Sequence, residues 1–250
     1  MQAPNRWIRQ FLSRVGIETR LRRLRAELAA VFPDLQQLRL SEHESGYDSI
    51  FYLEGPNERL GVLRLNTPYK RRSPAWPGRP RNILSPRGRL EREWTAYHRL
   101  APAGLSPRPL WRIDDAIVCS YLTAPRLRAV LDQRLVPLEQ ALTATLAAVG
   151  RMHELGVAHL DLTPGSILLD PVTLQVWFID FKYQALSTYA FDQQRSLDAE
   201  FLTLSLLRRG AALKRSLEFE TTVAHAFAVS PLASLVSVDA VTQIARLKVA

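Results

Sequence analysis

Two aspartates and a histidine in the second half of the chain have the types and spacing from which chemistry can be built. Asp161 lies in the polar turn His159-Leu160-Asp161-Leu162-Thr163-Pro164-Gly165-Ser166, directly ahead of the apolar run Ile167-Leu168-Leu169. Asp180 follows Val176-Trp177-Phe178-Ile179 and precedes Phe181. A carboxylate in a polar turn can accept a proton from a hydroxyl, or it can simply cap backbone amides. A carboxylate set among apolar strand residues is different, because leaving it ionised and unpaired costs on the order of several kcal/mol. Asp180 therefore needs a cation or strong donors, and it is read as a position that holds charge. His159 could act as a general base, but a lone histidine at a strand end is more often packed and structural, and it is assigned that role.

The elements that must position these groups follow from pattern. The chain has 250 residues and 47% hydrophobic content, enough to bury the core of one large domain or two packed lobes and too much for wholesale disorder. Residues 1-32 have apolar positions near helical spacing with arginines around them, and Pro33 ends the pattern. Such a basic amphipathic helix can lie on an anionic membrane surface or pack its apolar face on the domain behind it; the pattern alone favours packing. From Leu35 the period becomes that of strands. Leu38-Arg39-Leu40, Ser49 to Leu53 and Leu60 to Leu65 predict a three-stranded antiparallel meander. Residues 67-90 combine five prolines with seven basic residues and read as a long exposed cationic loop.

Leu90 to Leu100 then reads as a helix and Ala116 to Leu122 as a strand. A long helix is predicted over 137-155, with Gly156 as its stop, and another over 196-227, broken at Gly210. The tail from Ser230 to Ala250 suggests a further apolar helix or two. The order implies an α+β protein: a basic helical extension over 1-34, a sheet lobe with one helix over 35-122, and a reduced helical lobe over 123-250. Clefts between such lobes are where cofactor sites usually lie.

Taken with the preceding Leu155-Gly156-Val157-Ala158-His159, the aspartate pair resembles the His-x-Asp and Asp-Phe-Gly motifs of the protein-kinase fold, a likeness that spans residues 36 to 205. The resemblance implies ATP and Mg²⁺ as cofactors. It implies that Asp161 orients the attacking hydroxyl and accepts its proton, that Asp180 chelates Mg²⁺, and that Ser166 stands where the family usually has a metal-binding asparagine. Little covalent chemistry falls to the protein in phosphoryl transfer, so positioned charge and metal supply most of the effect. Arg64 occupies the place of the strand lysine that reaches the phosphates, with Lys70 as a less favoured substitute, and Glu93 the place of its helix partner. Gly46 is the one glycine left in the phosphate-covering turn. Ser120 and Leu122 lie in the segment whose backbone binds adenine, and His159, Phe181 and Asp198 give structural support, Asp198 by anchoring the catalytic loop. Cys119, flanked by apolar residues, reads as a small core thiol.

Departures from the family narrow the activity. The chain has Asp180-Phe181-Lys182 in place of Asp-Phe-Gly and no Ala-Pro-Glu motif, which leaves little room for a peptide platform. Size, the single glycine and the basic N-terminus are similar to the bacterial lipopolysaccharide core kinases, which implies an anionic glycolipid or sugar acceptor and peripheral contact with the inner membrane. A Rio-like atypical protein kinase is the alternative, and a pseudokinase acting as a binding module is the third reading. The net charge of +9 is dominated by arginine, with only four lysines among 33 basic residues. Arginine suits phosphates and carboxylates, so residues 70-92 would draw an anionic acceptor. No zinc finger, RNA-binding aromatic motif or helix-turn-helix accompanies the charge, so nucleic acid is not expected as a partner. One cysteine, no zinc-ligand spacing, no apolar run of membrane-spanning length and no secretory signal lead to a cytoplasmic expectation.

Overall fold

The computed structural model describes residues 6–41, 48–66, 81–212 and 217–235. Gly46, the part of the basic stretch over 67–80 that includes Lys70, and most of the expected C-terminal tail lie outside them. The chain forms two compact units and passes between them several times, once within a helix, after Trp94.

The first unit is built on a five-stranded antiparallel sheet. Its strands β1 (Gln37–Leu40), β2 (Asp48–Glu54) and β3 (Arg59–Asn66) form the expected meander. The sheet continues through β6 (Ala116–Cys119) to β5 (Pro109–Ile113), in the order β1-β2-β3-β6-β5. Side chains alternate between its faces. Leu63 and Leu65 of β3, with Ala116 and Val118 of β6 and Phe51 and Leu53 of β2, meet Leu24 and Leu28 of helix α1 (Arg6–Val31). Burying each of those leucines contributes roughly 1.5–3 kcal/mol relative to exposure. Ile17, Leu21, Leu24 and Leu28 of α1 are therefore spent on the sheet, while Val31 at the helix end stays exposed, and Arg20 ties the helix down through Asn66 O and Asp115.

Helix α2 (Pro86–Leu100) corrects the expectation of a loop through residue 90. Ser85 accepts the Gly88 amide on its Oγ at 3.1 Å, and Pro86 fills the first helical position, where its missing N–H costs nothing. A proline counted towards a loop thus begins a helix. A short strand, β4 (Arg81–Ile83), precedes it and pairs with β9 (Tyr183–Ala185) in the second unit.

The second unit is mainly helical. Helix α4 (Leu138–Glu154) buries Ala141, Leu142, Thr145, Leu146, Val149 and Met152 at helical spacing, and Gly156, at φ +70°, follows its end. Helix α3 (Leu127–Gln133) precedes it, and the hairpin of β7 (Ile167–Leu169) and β8 (Val176–Phe178) comes after. Asp170 closes that hairpin, and the Val172 amide on its carboxylate holds its pKa below the ordinary value. Helix α5 (Phe191–Ala212) is continuous through Gly210, correcting the expected break there. A Cβ on that glycine would come within 2.7 Å of the Phe219 ring, so the residue permits close approach of α6 (Leu217–Ala228). No helix among the described residues is long and apolar enough to cross a membrane.

Candidate functional site

The catalytic-loop candidates are held by one buried carboxylate. Asp198, on α5, is fully buried and accepts the His159 amide at 2.6 Å and His153 Nε2 at 3.0 Å on Oδ2, and the Leu160 amide at 2.6 Å on Oδ1. These bonds fix the backbone just ahead of Asp161. Leu160 takes φ +65°, a conformation that costs a residue with a Cβ roughly 1–2 kcal/mol and persists only where the surroundings impose it.

His159 links this loop to the one that carries Asp180. Its Nδ1 accepts the Asp161 amide at 3.3 Å and its Nε2 lies 2.9 Å from Ile179 O, so a ring protonated on Nε2 satisfies both contacts. The Ile179 amide in turn donates to Ser166 O at 3.0 Å. Phe181 is fully buried, its ring centroid 4.5 Å from that of His159 and 6.0 Å from that of Tyr97. Two loops far apart in sequence are thereby laced together, with Asp161 on one and Asp180 on the other. Asp180 adopts φ +78°, a second strained backbone beside the first.

Asp161 and Asp180 are both partly exposed. Asp180 Oδ2 is in contact with Lys182 Nζ, so the need for a cation that its apolar flanks imposed is met from within the chain. Ser166 is buried and uses its hydroxyl on its own loop, accepting the Thr163 amide at 3.1 Å and lying 3.0 Å from Thr163 O. Metal ligation by Ser166 would compete with those bonds.

The first unit holds the other set. Arg64 is on the sheet face away from α1, with Ile117 and Cys119 at alternating positions on the neighbouring strand. Arg64 Nη1 donates to Glu93 Oε1 at 2.6 Å. Glu93 shares one face of α2 with Arg89, four residues earlier, and Arg89 Nη2 donates to Asp48 Oδ1 at 2.9 Å. Asp48, diagonal to Arg64 across β2 and β3, also lies 3.8 Å from Arg64 Nη2. All four side chains are buried, and their charges, two positive and two negative, cancel. Sequence reasoning found Arg64 and Glu93 but missed Asp48 and Arg89; the four-residue spacing of Arg89 and Glu93 was the available signal. Burial pushes the Cys119 thiol up to about 12, with Glu93 adding to the rise and Arg64 opposing it, so the thiol stays protonated and unreactive at neutral pH. Arg64→Lys is expected to lower stability by about 1–3 kcal/mol in urea unfolding, because a point charge cannot serve Glu93 and Asp48 with a planar fork.

In the linking segment, the Ser120 amide donates to Arg108 O at 2.8 Å and its Oγ accepts the Arg108 amide at 2.9 Å. Leu122 is half-buried.

For Mg²⁺, the donor chemistry fits in part. The ion takes oxygen ligands and is commonly held by one or two carboxylates, with substrate phosphates completing the set. Asp180 offers such an oxygen and already carries a stand-in cation in Lys182. The described residues contain no group of three or more His, Cys, Asp or Glu able to hold a metal without help.

A sheet unit with a buried Arg–Glu pair between β3 and α2, and a helical unit carrying a braced loop pair, define a protein-kinase-like fold. Among solved structures, the chain is similar to the Rio2 kinase of Chaetomium thermophilum in its ADP/Mg²⁺-phosphoaspartate complex, with a TM-score of 0.55 and 19% identity over 89% of this chain and 75% of that one. No protein-family profile matches the sequence, and no curated protein does.

Proposed function

We propose that this protein is an ATP-dependent phosphotransferase that transfers a γ-phosphate to a hydroxyl. What carries the reading is the pair of laced loops that presents Asp161, next to the strained Leu160, and Asp180, itself on strained backbone. Asp161 orients the attacking hydroxyl and takes up its proton. Asp180 would hold Mg²⁺, which when bound supplies positive charge to the phosphate oxygens. The Arg64–Glu93 pair and the segment at Ser120 and Leu122 are assigned to the nucleotide, and Asp198, His159 and Phe181 keep the loops in place.

The acceptor to test first is a protein hydroxyl. The similar structure is a Rio2 kinase, and of the eight basic residues over 70–92 that motivated an anionic glycolipid, four lie outside the described residues and Arg89 is buried against Asp48. A lipopolysaccharide core sugar, with peripheral membrane contact, is the second acceptor to test. One observation favours a different reading, that of a nucleotide-binding module without transfer: Lys182 already neutralises Asp180, and the Ser166 hydroxyl is committed to its own loop.

The deciding experiment measures Mg²⁺-dependent transfer from γ-labelled ATP to a generic protein acceptor and to deacylated lipopolysaccharide core. Transfer to either supports the phosphotransferase and names the acceptor class. Nucleotide binding with no transfer to either supports the binding module, and the absence of nucleotide binding defeats both.

A further inference from the structure

We infer that Lys182 is a resident counter-ion that occupies the cation position on Asp180 in the metal-free protein and, once displaced by the metal, gives its ammonium to a nucleotide phosphate. The inference deepens the phosphotransferase reading and rests on it for the identity of the ligand.

Three observations carry it. The first is the contact itself, Lys182 Nζ on Asp180 Oδ2, between side chains that both remain partly exposed, so an incoming cation can reach the carboxylate. The second is scarcity. Between Arg151 and Arg195 the chain has no other lysine or arginine, and Lys182 is the only lysine among the described residues. Where the other described residues use arginine, the residue placed against Asp180 is the compact, strongly hydrated cation that lets go of a carboxylate more readily than a bidentate fork does. The third is the charge of the first unit's cluster. Among the described residues, Arg64 and Arg89 are balanced there by Glu93 and Asp48, so that cluster brings no net positive charge of its own. In the second unit, Lys182 does.

The backbone around the pair is held on both sides. Phe181 is buried against His159 on one side, and β9 begins at Tyr183 and pairs with β4 on the other. The proposed exchange between the two states is therefore assigned to rotation of the lysine side chain.

The test uses Lys182→Met and Lys182→Arg, with Mn²⁺ alone as the first probe, followed by electron paramagnetic resonance in the absence of nucleotide. Lys182→Met is expected to bind Mn²⁺ roughly three- to tenfold tighter than the wild type, because the competing ammonium is gone. Lys182→Arg is expected to bind it no tighter than the wild type. The second probe is ATP at saturating Mg²⁺, where competition for Asp180 no longer contributes. There Lys182→Met is expected to lose roughly tenfold in affinity and Lys182→Arg to recover most of the loss. Unchanged Mn²⁺ affinity in Lys182→Met overturns the counter-ion role, and unchanged ATP affinity in that variant overturns the phosphate role. ATP binding in the wild type with both values unmoved sinks the inference and leaves the phosphotransferase reading standing. Failure of the wild type to bind ATP sinks the reading and the phosphate role together, whereas tighter Mn²⁺ binding by Lys182→Met would still uphold the counter-ion role.

Discussion

Asp161→Asn is expected to cut phosphate transfer by roughly 10²–10⁴-fold, the usual contribution of a positioned general base. The melting temperature and nucleotide affinity should stay near those of the wild type. The asparagine keeps the shape of the side chain, and the backbone that presents it is held by other groups: the His159 and Leu160 amides by Asp198, and the Asp161 amide by His159. Turnover at saturating ATP, thermal melting and nucleotide titration on the same preparation separate the possibilities. A variant that melts early but turns over normally would show that Asp161 is a turn-capping residue. A variant that melts and turns over normally would remove it from the mechanism.

Asp198→Ala is expected to destabilise the protein by about 3–5 kcal/mol, the range for removing one partner of a buried charged network. The carboxylate is fully buried, and its loss leaves two backbone amides and the His153 ring without their acceptor. Against a total stability of roughly 5–15 kcal/mol for a typical domain, that is a large fraction. The strained Leu160 backbone, no longer held, is free to relax and to take Asp161 with it. Urea unfolding should show an earlier midpoint, and transfer should fall in the variant even under conditions where it remains folded. Asp198→Asn, which retains an acceptor oxygen, should lie between alanine and the wild type. Equal midpoints for all three proteins would mean that the bonds to Asp198 do not hold the loop.

Parts of the site were legible because they are local. Asp161 and Asp180 each sit in a short window whose apolar neighbours and turn residues can be read directly, and Gly156 marks the end of α4 by a rule that involves only adjacent residues. The sheet-then-helix order was legible for the same reason, since the period of apolar residues changes from strand to helix along the chain.

Residues 81–90 were misread because local pattern speaks for exposure there. Proline and arginine are usually solvated, and nothing near Arg89 announces that Asp48, forty-one residues earlier, meets it in the interior. Ser85 and Pro86 were the available signal: Ser85 was passed over and Pro86 counted towards the loop, when they are a cap and a first helical residue. The three-residue strands β4 and β9 carry too few residues for periodicity to register, and only their pairing makes them strands.

The order of elements, the two aspartates and the absence of lysine from β3 are properties of the amino-acid sequence by itself, since each depends on residue type within a few positions. Which carboxylate faces which cation is different. That Arg64 is shared by Glu93 and Asp48, that Asp198 holds the loop before Asp161, and that Lys182 rests on Asp180 were decided only by the tertiary structure. The physical reason is that a buried charge must find its partner in space, and separation along the chain does not say where that partner is.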